Sequence, residues 1–201
     1  MAKPDPLSAK KEEKRKTRNW VITIFFATIL ISATISLVSD LVMENSSMIV
    51  AAIVLLLIVF ICIIFDIVGM AVATADEKPF HAMAARKVIG AKECIMLLRN
   101  AERVSSICND VVGDICGVVS GSASATIAAQ ILSNFELSFA SVVPLLLSSL
   151  VAALTVGGKA VGKGIAVANC TDIVYHAGQI IHALTHVKDP FRRRKQNKKK
   201  K

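Results

Sequence analysis

Three aspartates, Asp66, Asp110 and Asp114, stand in stretches otherwise apolar enough to cross a lipid bilayer. An ionised carboxylate at that depth is costly unless it meets a cation, a partner or a water-filled cavity, so these positions lead the search for function. Ser105, Ser106 and Asn109 precede Asp110 within about one helical turn. Carboxylate, amide and hydroxyl oxygens are the ligands of hard divalent cations, and Mg2+ takes six of them while keeping some of its waters. The chemistry expected is binding or passage of Mg2+ at Asp66, Asn109, Asp110, Asp114, Ser105 and Ser106. Zinc or copper would call on Cys and His. His182 and His186 are four apart but have no evident third ligand, and His81 and His176 offer less, so all four histidines read as ordinary. No GxSxG, HExxH or P-loop pattern occurs at usable spacing, and an enzyme is not expected.

The elements that must hold these residues are membrane spans. The chain has 201 residues, 54% of them hydrophobic, and its charge is gathered into blocks rather than spread along the sequence. That composition excludes an ordinary soluble domain. Four spans are expected, at residues 20–42, 47–75, 104–132 and 137–156, in an all-α, polytopic membrane protein. The second exceeds a ~30 Å hydrocarbon core at about 1.5 Å per residue, so its last turns should emerge into water. Residues 76–103 and 165–187 carry mixed charge at helical spacing and read as amphipathic helices on the cytosolic membrane face. A Gly-rich break (Gly157, Gly158, Gly162, Gly164) separates the fourth span from the last helix, and Pro144 is expected to kink that span.

The net charge of +9 comes mainly from two tails, residues 1–19 and 188–201, which read as solvated and disordered. Flanking hydrophobic segments, they suit anionic lipid headgroups, and a nucleic-acid role is not expected. The connections at residues 40–47 and 133–138 lack Lys and Arg, so both termini are placed in the cytosol and the protein in the cell (inner) membrane. Five cysteines without a CxxC pair read as reduced core thiols.

Counting inward from Arg103, Asp110 lies roughly 10 Å deep and Asp114 roughly 16 Å deep. Asp66, entering from the other direction, is expected level with Asp110. Gly113, Gly117 and Gly121, four apart with Asn109 one turn before them, form a small-residue stripe expected to pack against another span and carry Asn109 into the contact.

The stretch Phe65-Asp66-Ile67-Val68-Gly69-Met70-Ala71-Val72-Ala73 resembles the end of the first core helix of the CNNM/CorB/CorC transmembrane domain, whose pattern reads roughly F-S-x-x-E-x-A-L. Asp66 stands at the family's serine and Gly69 at its glutamate. A charged stretch ending Leu98-Arg99-Asn100-Ala101-Glu102-Arg103 follows, then a helix with an early asparagine, Asn109. The family's G-E-x-x-P-K turn has a counterpart in Gly158-Lys159-Ala160-Val161-Gly162-Lys163. This resemblance covers residues 48–187. It implies a magnesium- and cobalt-type transporter, homodimeric, with an ion site between helices in the inner half of the membrane to which Asp66 and Asn109 contribute oxygens. Gly69 and Lys159 stand where the family has glutamates, and Asp110 and Asp114 would restore that acidic count. The CBS pair that commonly follows the domain is not in this chain and a first span precedes it, so nucleotide regulation is not carried over. The rival expectation is a scaffold or regulatory protein of transporter-like fold, in which the Lys159 ammonium pairs with an aspartate and takes the cation's place. A holin-like pore fits the basic tail but not the buried aspartates.

Overall fold

The Ile, Val and Leu run between Met48 and Phe65 belongs to one long helix, and every other span but the first packs around it. In the computed structural model, residues 6–44, 46–134 and 142–186 are described. They fold entirely into helices: α1 (Pro6–Glu44), α2 (Met48–Thr74), α3 (Lys78–Ala85), α4 (Ala91–Arg99), α5 (Ala101–Ser106), a π-helical turn (Ile107–Val111), α6 (Val112–Asn134), α7 (Val142–Ala168) and α8 (Cys170–His186). Four of these stretches are long and apolar enough to cross a membrane: 17–39 within α1, α2, the continuous run Ala101–Asn134, and α7.

The buried face of α2 reads Ala51, Leu55, Val59, Cys62, Asp66, Gly69, a stripe at spacings of three or four on the helix that packs against α6 and α7. Two apolar clusters are threaded along it. One joins Ala51, Leu55 and Val59 to Ala123 and Ile127 of α6, with Leu147 and Val151 of α7 against it. The other joins Ala71 and Val72 to Phe80, Cys94, Leu98, Ala166 and Val174, drawing in α3, α4, α7 and α8. Asp66 falls between the two, and so, on their own helices, do Asn109 and Lys159. The molecule therefore has a polar waist between two apolar cores.

Several boundaries differ from those expected. The glycines expected to break the chain at residues 157–164 lie inside α7, because Gly158 and Gly162 form the surface on which Ile63 and Ile67 of α2 rest. A Cβ at Gly162 would stand 2.8 Å from Ile67 Cγ1, and one at Gly158 would collide with Ile63 Cδ1. Close packing of this kind rewards glycine within a span. The final helix accordingly starts at Cys170 rather than 165. Pro144 lies in the first described turn of α7, the part of a helix where proline is best tolerated. Residues 6–19 of the basic N-terminal tail belong to α1 rather than to a disordered segment. The C-terminal tail, and the start of the fourth span at 137–141, lie outside the described residues.

The segment at 76–103 is two short helices, α3 and α4, joined by a tight turn and followed by the start of α5. Gly90 enters α4 at φ 86, and a Cβ there would meet the backbone nitrogen of Gln179 at 3.0 Å, so only glycine serves. α4 then packs on α8, where Glu93 Oε1 meets His182 Nδ1 at 2.7 Å.

Candidate functional site at the polar waist

Successive residues of a helix point about 100° apart, so Asn109 and Asp110, both in the π-helical turn, face different neighbours. Asn109 is turned toward α2 and lies over Gly69, where a Cβ would collide with its amide oxygen and come within 2.8 Å of Cys108 Cβ. Its Nδ2 donates to Ser105 Oγ at 3.2 Å. Asp110 is turned the other way, accepts a hydrogen bond from Ser106 Oγ at 3.0 Å, and with Asp114 lines a cavity against α1.

Asp66 is 4% exposed and lies one turn before Gly69 on the same face of α2, which brings it beside the Asn109 contact. Its Oδ1 faces Lys159 Nζ of α7 at 3.9 Å. That distance is an ion pair but too long for a hydrogen bond, a gap that one bridging water can fill. Lys159 reaches Asp66 across α6 at Gly113, whose Cβ would come within 3.2 Å of the ammonium. Asp66 Oδ2 and Asn109 Oδ1 are both buried without a hydrogen-bond partner. Two acceptors left unmet on touching helices are costly, and they mark a place built for a donor or a cation.

The six oxygen-bearing residues expected to form one site thus divide into two. The waist holds two pairs, Asp66 with Lys159 and Asn109 with Ser105, the second over Gly69 one turn from Asp66; Ser106, Asp110 and Asp114 face α1. The stripe of Gly113, Gly117 and Gly121 also differs from expectation. Gly113 makes room for Lys159, while Gly117 and Gly121 have nothing within 4 Å of a would-be Cβ.

Sequence reasoning missed the Cys62 and Cys116 thiols, which come near each other between α2 and α6. Their positions, one turn before Asp66 and one turn after Val112, carry no signal without the three-dimensional packing. All five cysteines are free thiols, Cys62 and Cys94 buried and Cys108, Cys116 and Cys170 half-buried. His182 is engaged by Glu93, and His81 by Glu77 at 3.2 Å, while the His186 side chain lies outside the described residues. Among the described residues no group of three or more His, Cys, Asp or Glu is placed to hold a metal, so an ion at the waist must draw on amide, hydroxyl or water oxygens as well. No family model, curated protein or solved structure matches the chain.

Proposed function

We propose that this chain is a divalent-cation membrane protein of the Mg2+/Co2+ type, which binds its ion at the waist and moves it across the membrane. The observation that supports this reading is the pair of buried, unpartnered oxygens, Asp66 Oδ2 and Asn109 Oδ1, on helices that touch at Gly69. Asp66 supplies the charge, Asn109 a neutral oxygen, and Ser105 a hydroxyl already bound to the Asn109 amide. Mg2+ keeps part of its water shell, so three protein oxygens and retained waters complete its six ligands. Lys159 is the resident countercharge that the ion displaces from Asp66. The close α2–α7 seam at Gly158 and Gly162 is the surface along which the helices repack for alternating access.

The proposal extends to a homodimer in the cell inner membrane, with both termini cytosolic and the basic tails on anionic headgroups. It agrees with the CNNM/CorB/CorC resemblance at Asp66 and Asn109. Mg2+ flux into proteoliposomes tests it: Asp66→Asn should abolish flux, and Asn109→Ala should lower it. Undiminished flux in Asp66→Asn defeats the assignment.

A second reading is favoured by the Lys159–Asp66 ion pair itself. If the ammonium never yields its place, the protein is a scaffold or regulatory partner that has lost transport. Mg2+ separates the two, because an ion that binds the folded state raises its melting temperature and one that does not bind leaves it unchanged.

A further inference from the structure

Asp110 and Asp114 are left over from the waist, and they are the polar floor of a different space. Between α1 and α6 lies a cavity of about 770 Å³. Its α1 wall is a stripe repeating every four residues, including Trp20, Phe25 and Ile29, relieved only by the hydroxyls of Thr28 and Ser32. The opposite wall presents the two carboxylates one helical turn apart. Among the described residues neither carboxylate has an ion-pair partner. The nearest cation along the helix, Arg103, stacks on Trp20 at 5.8 Å instead, and lies about 10 Å of helix rise before Asp110.

We propose that this cavity is a binding site for a lipophilic organic cation, an ammonium or phosphonium carrying an apolar or aromatic body. The charge complement is fixed by two carboxylates that are exposed on the face of a stretch apolar enough to span a membrane, where a negative charge is costly until a positive one joins it. The body is fixed by the wall. Mg2+ would use only the oxygens of this space and nothing of its long apolar α1 wall, whereas a weakly hydrated organic cation gives up little water and gains apolar and aromatic contact there. The volume lies within the range of small-molecule sites, roughly 300–1,000 Å³. Neither Asp66 nor Asn109 lines it, so the inference is independent of the Mg2+ reading.

Trp20 is the sole tryptophan of the chain and lines the cavity, which makes its emission a direct reporter. The full chain in nanodiscs should show saturable quenching on titration with tetraphenylphosphonium and none that saturates with neutral triphenylphosphine oxide. Asp110→Asn and Asp114→Asn should each weaken binding by about tenfold or more, the loss expected when one partner of a desolvated charge pair is removed. Asp66→Asn should leave the affinity unchanged. Ala33→Leu narrows the cavity without touching charge and should also weaken binding, which covers the case in which an aspartate variant does not fold. Only linear partitioning by the native chain, or one affinity shared by the native chain and the folded variants, overturns the proposal.

Discussion

Lys159 of α7 passes over Gly113 of α6 to bring its Nζ 3.9 Å from Asp66 Oδ1 of α2, so a single side chain ties three spans together at the waist. Removing the ammonium leaves a buried carboxylate uncompensated, a change that costs about 3–5 kcal/mol in buried pairs. Lys159→Met is therefore expected to lower the melting temperature in detergent, and Asp66→Asn/Lys159→Met to recover most of the loss. Mg2+ should stabilise Lys159→Met more than the native chain, because the competing cation is gone. Equal Mg2+ response in both rejects Lys159 as a competitor.

Gly69 tests the other half of the waist. A methyl group there meets the Asn109 amide oxygen and Cys108 Cβ, both fixed by the π-helical turn. Overpacking of this kind costs about 1–3 kcal/mol, more than the roughly 1 kcal/mol that alanine gains over glycine in a helix. Gly69→Ala should melt lower than the native chain and lose any stabilisation by Mg2+. Asn109→Gly in the same chain should recover only part of the melting temperature, since the Cys108 Cβ contact remains, and none of the Mg2+ effect. A Gly69→Ala chain that melts at or above the native temperature removes the close contact from the account.

Much of this architecture was legible in the residues, and the exceptions share one cause. Hydropathy locates α2 and the 101–134 span because apolar length alone satisfies a bilayer. Asp66 and Asn109 were both legible as candidates, since a polar group in such a run demands a reason. That Asn109 meets α2 while Asp110 and Asp114 meet α1 was not legible, because it is set by how the helices pack around one another. The α7 glycines failed for the same reason: as a string they resemble a break, and only Ile63 and Ile67 of another helix make them a contact surface.

Outside the spans, Cys94 reports on the docking of α4 against α8. Its thiol is buried, donates to the Val174 carbonyl at 3.4 Å and lies against Gly178. Burial pushes it above its ordinary value of 9.0, with the neighbouring Glu93 adding to the rise and backbone hydrogen bonds opposing it. A raised folded value means this contribution to stability is fully present below the ordinary value and is lost as pH rises through the raised one. Maleimide labelling of Cys94 at neutral pH should be slow in the native chain and faster in Glu93→Gln, which removes the charge facing His182. Peptide mapping of the labelled site checks this, and equal rates would show that the Glu93–His182 contact does not hold the two helices together.

Glycine position decides the last prediction. A methyl at Gly162 stands 2.8 Å from Ile67 Cγ1, whereas methyls at Gly117 and Gly121 touch nothing of this chain within 4 Å. The Ile67 side chain can yield, so Gly162→Ala should lower stability by about 1 kcal/mol or somewhat more, the lower end of overpacking costs. Gly117→Ala and Gly121→Ala should raise it, each by up to about 1 kcal/mol through helix propensity. Thermal unfolding in micelles orders the three. The native order requires that the seam between α2 and α7 be the tight one and that the α6 stripe be open. If Gly117→Ala instead destabilises as much as Gly162→Ala, then something beyond this chain covers that stripe.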